Sequence, residues 1–175
     1  MIDHLPERLD LLEAAETGRV LQGRIALVKL ERVVPLLATS AGDLEVRLEL
    51  GKDTDGTLFL QGKISGTVSL QCQRCLEPMA LPLKLRFRLG IVTGHEAAGC
   101  LHERYEPLLA GSEPALIADI VSDEVLLGLP LVAVHEEGSA CRSFLQDYHP
   151  PGQAKQDNPF AVLASMKPKN PISRS

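Results

Sequence analysis

Hydrophobic and polar residues alternate through three consecutive segments in the middle of this 175-residue chain. A period of two is typical of β-strands with one buried face, because successive side chains point to opposite sides of a sheet. The alternation predicts strands near residues 43–50, 57–70 and 79–89, and three such strands in succession favour an antiparallel meander. Gly62 and Gly66 lie on the apolar side of the second strand, where they favour a bulge or a closely packed helix.

The segments on either side of the meander carry weaker patterns. Residues 18–27 (GRVLQGRIAL) predict another strand, and residues 93–113 are loop-like. The stretch SEPALIADIVSDEVLLGLP predicts an amphipathic helix with Ser112 as its N-cap. Gly128 and Pro130 are expected to end this helix. The expected apolar face of this helix consists of Leu116, Ile117, Ile120, Val121 and Leu127. The predicted fold class is therefore α+β, an antiparallel β-meander with helices packed on one face.

The C-terminal part differs in composition from the rest. We predict a single α+β domain over residues 1–148, followed over residues 149–175 by a Pro- and Gly-containing linker and a docking segment. That segment contains a short helix that Asn158 caps and Pro159 begins. Its apolar stripe, which either docks on a partner or packs on its own domain, consists of Phe160, Leu163 and Met166.

Composition narrows the class of protein. Hydrophobic residues make up 45 % of the chain, enough for a core, and no stretch of about 18 apolar residues is available to span a membrane. The N-terminus is charged and has no apolar signal core, so we expect a soluble cytoplasmic protein. The net charge of −5 argues against coating of nucleic acid by bulk positive charge. No nucleotide-binding loop or serine-hydrolase motif occurs, and we predict that the protein is not an enzyme.

The sequence SLQCQRCLEP places Cys72 and Cys75 at the tip of the second predicted hairpin. Two thiolates at this spacing bind one zinc ion without backbone strain. Cys141 and His135 would complete a Cys3His zinc site if the fold brings them to the hairpin tip. Cys100 and His102 form a competing ligand pair.

Two other interpretations of the CxxC stay open. A redox-active pair needs a low-pKa thiolate, usually at a helix N-terminus, whereas strand patterns flank this one. Alternatively, the cysteines belong to a hairpin loop and carry no chemistry.

A basic face is the second candidate site. Lys84, Arg86 and Arg88 project from one side of the third strand at intervals of roughly 6.6–7 Å, and Arg74 extends the stripe. The face either contacts nucleic-acid phosphates or pairs with the acids of DLEVRLEL. Because aromatic residues make up only 3 % of the chain, base stacking is disfavoured and any RNA contact should be to phosphates.

Three blocks of sequence, in order, resemble the YceD family of large ribosomal RNA subunit accumulation proteins. They are the CQRC at 72–75, the DE and LP at 123–124 and 129–130, and NPFAVLAS at 158–165. The resemblance implies a non-catalytic factor in 23S rRNA synthesis, processing or stability and in large-subunit biogenesis. It also implies a large-subunit rRNA precursor or a ribosomal protein as partner. Many relatives carry additional cysteines after the LP, whereas this chain has only Cys141 there, with His135 or His149 as a substitute ligand.

Two functions from other classes remain as alternatives. One is a metal-dependent or thiol-redox enzyme that uses the CxxC, and the other is a protein–protein adaptor without RNA contact. The surroundings of the CxxC in the fold would distinguish the enzyme from the other candidates. Charge reversal on the basic face would distinguish the adaptor from an RNA-binding factor.

Overall fold

The computed structural model of the chain describes residues 2–136 and 141, apart from the side chains of Ile2, His95 and Glu96. Within these residues the chain forms a mixed β-sheet with a few short helices, and the predicted α+β class is confirmed. In chain order the elements are β1 (Ile2–His4), β2 (Arg8–Leu9), α1 (Leu11–Glu16), β3 (Val20–Ala26), β4 (Leu37–Thr39), β5 (Asp43–Lys52), β6 (Leu58–Gln71), β7 (Pro78–Val92), α2 (His95–Ala98), β8 (Glu106–Leu109), β9 (Ala115–Leu116) and α3 (Ile117–Gly128).

The sheet is built around β5, β6 and β7, each antiparallel to the next. These strands coincide with the three that the alternation predicts, and the largest difference is that β7 continues to Val92. The strand order is β1-β3-β5-β6-β7-β8, with β4 also paired to β6. The β1–β3 and β7–β8 pairs are parallel, which makes the sheet mixed. The strand expected within residues 18–27 is β3.

One face of the sheet contributes the hydrophobic core. Leu44 and Leu48 of β5 are completely inaccessible to solvent, and the buried apolar residues of α1 and α3 belong to the same core. Asp10 begins α1 by accepting hydrogen bonds from the backbone N–H groups of Leu12 and Glu13, both at 3.0 Å. The opposite face of β5–β7 is therefore left to polar side chains.

The start of α3 differs from the prediction. The helix begins at Ile117 rather than after Ser112, because Ala115 and Leu116 pair as β9 with β2. A strand pair with a distant segment thus overrides the local capping signal. Leu127, expected on the buried face of the helix, is 73 % exposed. The loop expected over residues 93–113 contains α2 and β8.

Gly62 lies under an aromatic ring instead of a bulge or a helix. Its strand register continues without interruption opposite Phe87. A Cβ atom at Gly62 would lie 2.1 Å from Phe87 Cζ, so the ring occupies the space that a side chain would need. Glycine at this position therefore lets Phe87 cover the strand backbone.

Some predictions fall outside the described residues. The domain boundary between residues 148 and 149 and the C-terminal helix with Asn158, Pro159, Phe160, Leu163 and Met166 stay predictions. Within the part of the chain that the structure describes, no helix is long and apolar enough to cross a membrane.

Candidate functional site

The CxxC lies in the tight connection between β6 and β7. The backbone N–H of Cys72 donates to the Glu77 carbonyl at 2.9 Å, and Leu76 N–H donates back to the Cys72 carbonyl at 2.9 Å. Leu76 closes the turn in a left-handed conformation with φ of 63°. Arg74 N–H lies 3.4 Å from Cys72 Sγ, so a backbone donor points at the sulfur. Residues 72–77 therefore form a tight turn that positions the two sulfur atoms, and we call this turn the knuckle.

The segment that follows α3 runs along this knuckle. The N–H of Gln73 donates to the Ala133 carbonyl at 2.8 Å. Two residues further on, His135 Nδ1 lies 3.5 Å from Cys75 Sγ, and His135 Nε2 lies 3.3 Å from the carbonyl oxygen of Pro78. A carbonyl only accepts hydrogen bonds, so Nε2 carries the hydrogen and Nδ1 of the neutral ring keeps its lone pair facing the thiol. Metal-bound histidines are commonly oriented by such a backbone carbonyl.

Four side chains bring metal-ligand atoms together at the knuckle. The ligand atoms of Cys72, Cys75, His135 and Cys141 all lie within 4.8 Å of one another. In a tetrahedral site with Zn–S of about 2.3 Å and Zn–N of about 2.0 Å, ligand atoms lie roughly 3.4–3.8 Å apart. The distance of 3.5 Å between Cys75 Sγ and His135 Nδ1 falls within this range. The residues fit a Cys3His zinc site, and the structure brings together the four residues that the sequence singled out.

The electrostatics at the knuckle favour a thiolate. Burial of the Cys72 thiol raises its pKa, but the backbone N–H groups of Cys75, Arg74 and His135 lower it, and the resulting pKa is about 5. A thiolate is the form of cysteine that binds metals. Cys72 itself is fully buried, whereas Cys75 is half-buried, and the CxxC turn that carries both thiols is not helical.

The competing ligand pair, Cys100 and His102, does not belong to the metal-ligand group at the knuckle. Cys100 is exposed, and His102 Nδ1 accepts the backbone N–H of Arg104 at 3.2 Å. Among the residues that the structure describes, neither belongs to a group of three or more metal-ligand side chains. His149 lies outside that part.

The basic side chains of β7 project from the polar face of the sheet. Lys84, Arg86 and Arg88 are all exposed, and Arg74 is half-buried in the knuckle. The acids of β5 do not lie next to β7, because β6 runs between the two strands. Over the described residues, none of these four cations forms an ion pair with a carboxylate, so the cross-strand pairing with DLEVRLEL is absent there.

Sequence reasoning missed two cations on the same face. Arg47 on β5 and Lys63 on β6 lie directly opposite each other, and Lys63 lies opposite Arg86. The alternation shows that both side chains are on the polar face, but only the strand register places them beside Arg86.

The acidic DE motif has a structural partner. Asp123 forms an ion pair with Arg32. Burial raises the pKa of Glu124, and the carboxylates of Glu106 and Asp123 raise it further, to about 7. This motif therefore takes part in the packing around α3.

Fold and site together define a small α+β protein with metal-ligand residues at the tip of its central hairpin and exposed cations on the polar face of its sheet. Residues 60–167 match the family described as "Large ribosomal RNA subunit accumulation protein YceD". A protein of that name from Haemophilus influenzae is 32 % identical over 170 residues, which cover 94 % of this chain and 97 % of the relative. The chain belongs to the YceD family. No solved structure matches it.

Proposed function

We propose that this protein is a non-catalytic factor in the accumulation of large-subunit ribosomal RNA, acting in 23S rRNA synthesis, processing or stability. The name of the Haemophilus influenzae relative supports the biological process. The observation that carries the proposal is the exposed face of β7, from which Lys84, Arg86 and Arg88 project without a carboxylate partner among the described residues. Such cations suit contacts to phosphate groups, which are the sequence-independent part of nucleic-acid binding.

A structural zinc ion is the second part of the proposal. Cys72, Cys75, His135 and Cys141 would hold it. When bound, zinc supplies cross-linking of the turn rather than reaction chemistry, since four protein ligands leave no open position for a substrate. The chain itself holds the backbone of Arg74 against Cys72 Sγ and the ring of His135 against Pro78. The role proposed for the knuckle is to hold Arg74 in the turn that precedes the basic strand.

The partner we propose is a large-subunit rRNA precursor or a ribosomal protein, met in the cytoplasm. The C-terminal segment with Phe160, Leu163 and Met166 is proposed to dock on that partner through its apolar stripe.

Sucrose-gradient sedimentation of tagged protein from lysate, at low and raised salt, tests the function. We expect the protein to sediment with large-subunit precursor RNA and to dissociate as salt is raised, because phosphate contacts weaken with salt. The variant K84E/R86E should lose this association. R19E/K52E is the matched control, with the same charge change at cations that already pair with Asp3 and Glu16.

Three results would decide between the candidate functions. Protein that stays at the top of the gradient at both salt concentrations contradicts the ribosomal role. Association that survives in K84E/R86E supports the adaptor without RNA contact. Loss in both variants would show that net charge, rather than the β7 face, governs sedimentation.

A further inference from the structure

The strand register aligns three cations across the sheet. Arg47 on β5 pairs with Lys63 on β6, and Lys63 pairs with Arg86 on β7. All three side chains are exposed on the polar face. Because neighbouring strands lie about 4.8 Å apart, the three Cα positions span roughly 10 Å at right angles to the strands. We call these three residues the basic row.

Two of the cations beside the basic row have a polar or acidic partner, whereas Lys84 has no carboxylate partner among the described residues. On one side, Arg24 forms an ion pair with Glu45 at 3.2 Å. On the other side, Arg88 donates to Gln61 Oε1 at 2.9 Å, and Gln61 Nε2 donates to Glu49 at 3.0 Å. The amide of Gln61 therefore links a cation to a carboxylate. Among the described residues, the positive charge on this part of the face that has no carboxylate partner, either directly or through Gln61, therefore lies on the basic row and on the neighbouring Lys84.

The basic row has no such compensation. Across residues 2–136 and 141, no carboxylate lies within ion-pair distance of Arg47, Lys63 or Arg86. Arg47 reaches only the side-chain oxygen of Gln22, at 3.5 Å. Like charges directly opposite each other on a sheet are destabilising. An anion bound over the row would remove this repulsion.

The surface above the basic row suits a phosphate chain. It forms an open depression of about 590 Å³. Among the described residues that line this depression, Glu49 is the one acidic residue. The Phe87 ring, which also lines the depression, is half-buried and packs over Gly62. A base-stacking platform needs exposed aromatic rings, whereas a backbone-binding groove needs positive charge.

We infer that the basic row binds successive phosphates of an RNA backbone that crosses the strands of the sheet. This inference rests on the proposed function and adds Arg47 and Lys63 as contacts, together with the direction in which the RNA lies. A single phosphate group is too small to reach both ends of a row roughly 10 Å long, so the ligand is a chain of phosphates.

Salt-dependent RNA binding by the full chain tests this inference. The probes are an oligouridylate and an RNA duplex of about 20 nucleotides per strand, titrated between about 50 and about 200 mM salt. Each phosphate contact contributes about 0.7 to the magnitude of the negative slope of log K against log salt for single strands. R47Q/K63Q should therefore reduce the magnitude of the slope by about 1.4 for the oligouridylate, and it should also reduce it for the duplex. The control R24Q/K52Q removes the same charge from cations paired with Glu45 and Glu16 and should keep the wild-type slope.

The outcomes separate this inference from the proposed function. A slope reduced only in R47Q/K63Q, with a melting temperature no lower than that of the wild type, supports the basic row. Equal slopes in the wild type and R47Q/K63Q, or equal losses in both variants, overturn it and leave the gradient experiment unaffected. Wild-type protein that binds neither RNA also overturns it, and sedimentation with precursor particles then decides whether the ribosomal role stands through protein contacts.

Discussion

Substituting Gly62 with alanine should destabilise the fold through a single steric conflict. The added Cβ would lie 2.1 Å from Phe87 Cζ, whereas non-bonded carbon atoms pack at about 3.5–4.0 Å. Phe87 or the strand must therefore move by roughly 1.5 Å. Overpacking of this kind costs about 1–3 kcal/mol, and the loss of glycine's conformational entropy in the unfolded chain offsets up to about 1 kcal/mol of it. We expect a net loss of about 1–2 kcal/mol.

Urea denaturation followed by circular dichroism measures this loss. Gly94→Ala is the matched control, because a Cβ there meets no atom within 4 Å and the backbone is extended with φ of −165°. The double variant G62A/F87A isolates the contact, because without the ring the new methyl group has space. Its destabilisation should be smaller than the sum of the two single effects by about 1 kcal/mol or more.

Two results would refute this reasoning. One is a G62A variant as stable as the G94A variant. The other is additive destabilisation in G62A/F87A, which would show that the ring and the new Cβ do not conflict. If the reasoning is right, G62A should also weaken RNA binding, because Gly62 and Phe87 lie next to Lys63 and Arg86 and share their register.

Three further predictions concern metal and pH. H135A should lower the zinc content measured by native mass spectrometry, whereas C100S should keep it, since only His135 lies in the ligand group of the described residues. Tyr105, Thr57 and Arg104 lower the pKa of Asp53 to about 2 against the effect of burial, so its charged form stabilises the fold above pH 3.8 and this contribution is lost as pH falls through 2. D53N should therefore flatten the acid limb of the stability profile, and an unchanged limb would contradict the assignment. The raised Glu124 pKa of about 7 has the opposite sign: the wild type loses stability as pH rises from 4.5 through 7, so E124Q should be the more stable protein above pH 7 and equal to it below 4.5.

Local patterns predict the centre of the fold well. Leu44, Val46, Leu48 and Leu50 are buried as their alternation requires, because a strand with one covered face leaves no other arrangement. The predicted start of α3 was wrong because Ala115 and Leu116 pair with residues far away in the chain. Alternation within a single segment contains no information about such a partner.

The residue types of the metal-ligand group could be predicted from the sequence, but their proximity in the fold could not. Thiols and an imidazole are the side chains that zinc prefers, so His135 and Cys141 were natural partners for the CxxC. The segment after α3 contacts the CxxC turn through the hydrogen bond between Gln73 and Ala133, and no sequence spacing indicates this contact. Likewise, the polar face of the sheet was predictable from alternation, but the alignment of Arg47 with Lys63 needed the register.

The knuckle joins residues that are synthesised far apart in time. Cys75 and His135 are separated by 60 positions, whereas the β6–β7 hairpin that carries the CxxC closes locally. Contacts of small sequence separation tend to form early and distant ones late, because closing a long loop costs more entropy. A growing chain can therefore form its central hairpin before His135 exists and can complete the metal-ligand group only afterwards. Tight zinc binding would thus distinguish full-length chains from fragments that end before residue 135, which retain only the two thiols of the CxxC.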